Sequence, residues 1–286
     1  MSEPFDAAVI GWYADNARDL PWRRPDVMPW AIVVSEFMLQ QTPVARVEPV
    51  WRAWLRRWPT PAALAAEPVG EAVRAWGRLG YPRRALRLHA AAMAIVERHD
   101  GGVPDDVAAL RALPGVGAYT AAAIAAFAFG RRVAVLDTNV RRVYARVFDS
   151  RADATGSPTV SERTDALARL PEVSAASYSV AVMELGALVC RARAPRCADC
   201  PVASQCRWLA AGCPPAALRR PTQLYDGTDR QARGRLLALV RDSAHPVPSV
   251  ELDAVWQDAA QRARALDGLV ADGLVERVGG SYRLPR

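Results

Sequence analysis

Leu110-Arg-Ala-Leu-Pro-Gly-Val-Gly-Ala-Tyr-Thr-Ala121 is the stretch on which the reading of the fold turns. A helical apolar pattern leads into it, the Pro114-Gly115-Val116-Gly117 turn reverses the chain, and a second helical pattern follows. Glycines let such a turn approach a partner closely, and the next helix opens with free amides at the positive end of its dipole. That geometry binds a phosphate without reading base sequence, although an ordinary packing corner between two helices would show the same pattern.

Outward from this turn the chain reads as helix after helix. Apolar residues recur at three- and four-residue steps over 32–39, 85–96, 119–129, 140–148 and 178–189, and breaks with Pro or Gly fall at 24–29, 77–82 and 100–104. No strand alternation interrupts residues 1–213, which predicts an all-α domain. A linker is expected over 214–229, where Pro214, Pro215, Pro221 and Gly227 cluster. Residues 230–286 read differently: a helix at 234–241, an extended piece at 247–250, one or two helices over 251–271, and a hairpin of 274–277 and 281–284 about Gly279-Gly280. That order predicts a small winged-helix-like α+β module.

Composition narrows the class. The 286 residues are half hydrophobic and 23% charged, which suits one large or two modest globular domains and excludes a disordered or fibrous chain. No apolar run approaches the roughly 20 residues of a membrane span, and Met1 to Asp15 does not read as a signal peptide, so a cytoplasmic protein is expected. The net charge of +7 points towards a polyanion. All 37 basic residues are arginine; without lysine, Schiff-base chemistry on a side-chain amine is excluded.

Four of the five cysteines, Cys190, Cys197, Cys200 and Cys206, crowd into 17 residues with gaps of six, two and five. Four thiolates suit zinc or an iron–sulfur cluster, and the uneven spacing favours [4Fe–4S]. Arg191, Arg193, Arg196 and Arg207 make the loop 190–206 basic, so that it could face phosphates. Two carboxylates stand out elsewhere. In Val34-Ser-Glu-Phe-Met-Leu-Gln-Gln-Thr-Pro-Val44, Glu36 interrupts an apolar helix, where a carboxylate is costly unless paired or functional; a capping Glu on a solvated face is the alternative. In Val135-Leu-Asp-Thr-Asn-Val-Arg-Arg-Val143, Asp137 stands where a helix begins, and a plain N-cap is the alternative. Two carboxylates together would permit a glycosidase division of labour, one protonating the leaving group and the other stabilising a cationic sugar.

With Leu20-Pro-Trp-Arg23, Leu79-Gly-Tyr81 and Met183-Glu-Leu-Gly-Ala187, these blocks resemble, in content and order, the iron–sulfur branch of the helix–hairpin–helix DNA glycosylases, and within it the A/G-specific adenine glycosylases of MutY type. The resemblance implies a helix–hairpin–helix glycosylase fold with a [4Fe–4S] loop on Cys190, Cys197, Cys200 and Cys206. It implies excision of adenine mispaired with 8-oxoguanine or G from double-stranded DNA; a monomer, associated with the nucleoid, is the default expectation. Glu36 matches the catalytic acid and Asp137 the carboxylate that stabilises the sugar, with Asn139 and Tyr119 lining the same site. Arg18, Leu20, Trp22 and Arg23 match residues around the flipped base. Gln40, Gln41, Thr42 and Tyr81 match those that enter the stack or meet the opposite base, and Leu113, Gly115, Val116 and Gly117 form the DNA-binding hairpin. Extrusion of the base is needed because the glycosidic bond cannot be attacked inside the duplex.

Three departures mark this chain. Tyr119 stands where endonuclease III-like relatives carry the Schiff-base lysine, which implies a monofunctional enzyme. Ser179 and Val180 replace the Asn and Gln or Glu common before the Met-Glu-Leu-Gly block, and Pro82 replaces a second tyrosine. Residues 230–286 are too short for the Nudix-like domain that MutY-type members usually append. The alternatives are a thymine or uracil mismatch glycosylase acting opposite G, or a non-catalytic iron–sulfur protein that binds DNA.

Overall fold

The structure, a computed structural model, describes residues 3–216 and 225–286. They are mostly helical, with one small sheet near the C-terminus. Of the expected linker, residues 217–224 lie outside the described residues. Among the described residues no helix is long and apolar enough to cross a membrane. The chain forms two compact units, each assembled from separate stretches: Met1–Pro29, Asp105–Leu110 and Gly117–Arg220 in the first, and Trp30–Pro104, Arg111–Val116 and Pro221–Arg286 in the second.

The first unit is built on helices Phe5–Asn16, Ala118–Phe129, Thr138–Asp149 and Ala175–Leu188. Ala118–Phe129 is apolar on every side, and its residues from Thr120 to Ala126 are all buried, as a helix without a polar face must be. It stops at Gly130, whose left-handed backbone (φ +65°) returns its N–H to the last turn. Val160–Ala168 begins with a reciprocal capping box of Thr159 and Glu162. The core joins Val9, Val140, Val143, Val147, Tyr178, Val182 and Leu185, with Phe5 edge-on to Phe148 at 5.1 Å.

The second unit holds helices Pro29–Leu39, Val44–Arg57, Val69–Trp76 and Arg83–Arg98 around Trp54, Trp58 and Trp76, whose rings meet edge to face. Its C-terminal part has the expected elements with shifted ends. Asp229–Asp242 starts earlier than the apolar pattern because Thr228 caps it through the Gln231 amide. Only Val247–Pro248 is extended before helix Ser249–Val255, and Ala259–Ala271 follows. Strands Glu276–Val278 and Ser281–Arg283 form the hairpin, and Val247 pairs with Tyr282 to add a third antiparallel strand.

This part is fastened to the rest of the second unit by backbone as well as side chains. The Gly70 amide donates to the Pro285 carbonyl at 3.0 Å, and a Cβ on Gly70 would lie 2.3 Å from that oxygen. Arg241 donates to the Gly77 carbonyl at 2.8 Å, Arg74 to the Ser243 carbonyl at 3.1 Å, and Arg83 pairs with Asp272 at 2.9 Å.

Candidate functional site

Asp137 caps helix Thr138–Asp149, so the plain reading of this residue is correct as far as it goes. One carboxylate oxygen accepts from the Val140 amide at 2.6 Å and the other from Asn139 Nδ2 at 2.8 Å. The hydrogen bonds continue beyond the cap. Asn139 Oδ1 accepts from Arg142 Nη2 at 2.7 Å, and Arg142 also donates to the Gly186 carbonyl at 2.8 Å and the Cys190 carbonyl at 2.7 Å. Asp137 is thereby connected to the start of the cysteine loop through two side chains. Gly186 makes room for this approach, because a Cβ there would lie 2.7 Å from the Asn139 Cβ. Burial pushes the Asp137 carboxyl above the ordinary Asp value, and the Val140 and Asn139 hydrogen bonds work against that rise. Tyr119, half-buried on helix Ala118–Phe129, packs beside Ala122, Ala123, Ala126 and Val135. Gly117, exposed, is the residue before that helix.

Arg18 and Arg23 converge on one carboxylate that sequence reasoning did not single out. Glu184 is fully buried and takes Arg18 Nε at 2.6 Å and Arg23 Nη1 at 2.7 Å. Burial by itself would raise the Glu184 carboxyl; the two guanidiniums outweigh it and hold it below the ordinary carboxylate range. The signal was present, since Glu184 interrupts an apolar helix just as Glu36 does. Leu20 and Trp22 flank this pair, both buried around the short 3₁₀ turn Pro21–Arg23. Ser179 is buried and its hydroxyl donates to the Ala175 carbonyl of its own helix at 2.9 Å, so that donor is already in use.

Cys190, Cys197, Cys200 and Cys206 line one cavity whose walls include Val143, Val147, Leu185, Val202 and Trp208. Among the described residues no three His, Cys, Asp or Glu side chains are arranged to hold a metal ion as they stand. The donor set still fits an iron–sulfur cluster: four sulfurs and no oxygen or nitrogen ligand, in apolar surroundings. Burial pushes the Cys200 thiol up to about 11, so thiolates in this cavity need a cationic centre to stabilise them. Arg146 supports the loop, donating to Cys190 Sγ at 3.4 Å and to the Arg191 carbonyl at 2.9 Å while lying over the Trp208 ring.

The second unit holds the remaining candidates. Glu36 is buried with its whole helix from Trp30 to Met38, so a solvated capping role is ruled out. Beyond that helix, Gln41 (φ +55°) and Tyr81 (φ +47°) adopt the left-handed backbone without being glycine, and both are exposed. Each such residue costs on the order of 1–3 kcal/mol and persists only where its surroundings hold it. Here the holder is Arg84, which sequence reasoning missed because an arginine among arginines on a helix looks solvated. Arg84 is buried and donates to the carbonyls of Phe37, Met38 and Gln40 at the end of helix Pro29–Leu39. It also donates to the Gly80 carbonyl and the hydroxyl of the buried Thr42. Burial lowers its pKa to about 10. In the hairpin, Leu113 and Val116 are buried, the Val116 amide donates to the Leu113 carbonyl, and Gly115 is exposed with φ +78°. A Cβ on Gly115 would lie 2.7 Å from the Arg87 Cβ and 3.0 Å from the Phe37 ring, so only glycine fits.

Residues 34–169 match the family described as HhH-GPD superfamily base excision DNA repair protein. The adenine DNA glycosylase of Mycolicibacterium smegmatis is 55% identical over 94% of this chain and 92% of its own length. A thymine/uracil-DNA glycosylase of Pyrobaculum aerophilum is 35% identical over 70% of this chain and 89% of its own. Among solved structures, a thermostable thymine-DNA glycosylase superposes with a TM-score of 0.68 at 25% identity, covering 72% of this chain and 95% of its own. The chain belongs to the helix–hairpin–helix base-excision repair superfamily, and within it to the MutY-type adenine DNA glycosylases.

Proposed function

We propose that this protein hydrolyses the N-glycosidic bond of adenine mispaired with 8-oxoguanine or G in double-stranded DNA, as a monofunctional glycosylase that leaves an abasic site. It acts as a monomer in the cytoplasm, on nucleoid DNA; residues 1–213 make up its glycosylase domain and 230–286 a winged-helix-like module. The observation that carries the reading is the Asp137 carboxylate, fixed at both oxygens by hydrogen bonds and, among the described residues, by no ion pair. A negative charge held in this way is preorganised to stabilise a cationic sugar as the glycosidic bond breaks. Glu36 protonates the departing purine at N7 and handles the water, and Tyr119 with Asn139 completes the lining. Arg18, Leu20, Trp22 and Arg23 surround the extruded base. Gln40, Gln41, Thr42 and Tyr81 meet the stack and the opposite base, while Leu113 to Gly117 hold the backbone. The absence of lysine removes the side-chain amine that a strand-cutting relative needs. Cys190, Cys197, Cys200 and Cys206 hold a [4Fe–4S] cluster, which when bound organises the loop 190–206.

A second reading, excision of thymine or uracil opposite G, is favoured by Ser179 and Val180, which offer no free amide or carboxylate to an adenine. The deciding experiment is single-turnover excision by the purified protein on duplexes carrying A opposite 8-oxoguanine, A opposite G, T opposite G and U opposite G, with and without alkali. Cleavage at A alone, and only after alkali, is expected; cleavage at T or U overturns the adenine reading, and cleavage without alkali overturns the monofunctional one. In the same assay Glu36→Gln should lower excision by about 10²–10⁴-fold while duplex binding persists. Loss of both together would make Glu36 structural.

A further inference from the structure

Residues 77–81 lie outside any helix or strand, and three of the five carry a positive φ: Gly77 (+58°), Gly80 (+84°) and Tyr81 (+47°). Such a segment keeps one shape only where its surroundings hold it. Here every carbonyl from residue 77 to residue 80 accepts from a side chain. Gly80 accepts from Trp76 Nε1 and Arg84 Nη2, both at 3.0 Å, Leu79 from the Thr42 hydroxyl at 3.4 Å, and Arg78 from Arg46. The remaining donor comes from far along the chain: Arg241, in the last turn of helix Asp229–Asp242, donates to the Gly77 carbonyl at 2.8 Å.

Arg241 is buried, and its neighbour aims it. Asp242 takes Nε at 2.8 Å and Nη2 at 3.2 Å, which leaves Nη1 for Gly77. Arg74, one turn before Gly77, returns the contact by donating to the carbonyls of Arg241 and, at 3.1 Å, of Ser243. At the start of the same helix, Val69–Trp76, the Gly70 amide donates to the Pro285 carbonyl. The helix that delivers residues 77–81 is thus gripped at both ends by the C-terminal part. The grip falls on a residue whose backbone (φ +58°, ψ −125°) suits glycine alone, so a rotation released there is carried on to Tyr81. We propose that Arg241 is a positioning residue, which fixes residues 77–81 so that Tyr81 meets the base opposite the adenine. The C-terminal part then acts on opposite-base preference through this loop. The inference rests on the role given to Tyr81 above.

The test compares the full-length parent, Arg241→Gln, Tyr81→Ala and the double variant. Each is measured for equilibrium binding to duplexes with an uncleavable 2′-fluoro adenosine opposite 8-oxoguanine or G, and for single-turnover excision of ordinary adenine at saturating protein. Arg241→Gln should weaken binding opposite 8-oxoguanine roughly 2- to 30-fold, with less change opposite G and a parental excision rate at saturation. In the Tyr81→Ala background the same change should add nothing, because an effect that passes through Tyr81 cannot outlast it. Parental binding by Arg241→Gln overturns the proposal. So does an equal loss on both duplexes that adds to the Tyr81→Ala effect, because Arg241 would then be merely structural. If Arg241→Gln does not fold, Arg74→Gln carries the same test: its side chain is partly exposed, and its loss removes the returning half of the clasp. An inert Tyr81→Ala overturns the role of Tyr81 and this proposal with it, whereas an active Tyr81→Ala beside an inert Arg241→Gln overturns this proposal alone. Failure of the parent to excise adenine overturns the function proposed above and leaves the binding comparison readable.

Discussion

Arginine serves opposite ends in the two units. In the first, Arg18 and Arg23 are held by Glu184, Arg141 by Glu162 at 2.9 Å, and Arg142 by the carbonyls of Gly186 and Cys190. These side chains act as internal struts, and Arg142 among them ties the Asp137 end of a helix, through Asn139, to the start of the cysteine loop. Around a cleft of the second unit, Arg78, Arg87 and Arg230 are exposed and make no ion pair among the described residues. The difference teaches that the chain's basic character divides into a structural part, neutralised inside the fold, and a part left open to an external anion. Net charge cannot separate the two.

The largest effect that could break this comparison is expected at Glu184. Glu184→Ala leaves two guanidiniums facing a buried void and should cost about 3–5 kcal/mol of stability in chemical denaturation. A cost below about 1 kcal/mol would mean that Arg18 and Arg23 are not held as struts.

A smaller effect should appear in the pH dependence, with opposite signs at two carboxyls of the first unit. The Glu184 carboxyl lies below its ordinary range in the folded protein. Its stabilisation is therefore present above the unfolded-state value and lost as pH falls through the folded one, so Glu184→Gln should flatten the acid limb of Tm against pH. The Asp137 carboxyl lies above its ordinary value, so the folded state binds that proton more tightly and loses stability as pH rises through this window. Asp137→Asn, which keeps a cap acceptor, should gain on the parent as pH rises from the acid range towards neutrality. Parallel profiles for the two variants would contradict the opposed environments.

The smallest effect is expected at the cleft. Arg78→Gln and Arg230→Gln should each change stability by less than about 0.5 kcal/mol, because both side chains are exposed and the Arg230 guanidinium touches only the exposed Tyr225 ring among the described residues. A larger loss in either would make it a strut like those of the first unit.

Much of this was legible in the sequence because the signals are local. The apolar period over 85–96 and 140–148 appears as helices Arg83–Arg98 and Thr138–Asp149, and the chain reversal at Pro114 to Gly117 precedes Ala118–Phe129. The Asp137 cap could be read from its place before an apolar pattern, and the buried position of Glu36 from the cost of a carboxylate among apolar neighbours. Glu184 carried the same signal and was overlooked. Arg84 and Arg142 carried none, because their partners are mostly backbone carbonyls, which every residue possesses.

The sequence by itself determined the helices, their caps, the thiol-only donor set, the exclusion of amine chemistry and the family. Each depends on residue identity and spacing along a few turns of chain. Tertiary structure alone decided that the Gly70 amide donates to the Pro285 carbonyl, that three separated stretches make one unit, and which of 37 identical cations is neutralised. An arginine's role is set by the acceptor within about 3 Å of its guanidinium, and for Arg18, Arg23, Arg74 and Arg84 the acceptors include ones that lie from 42 to more than 160 residues away along the chain.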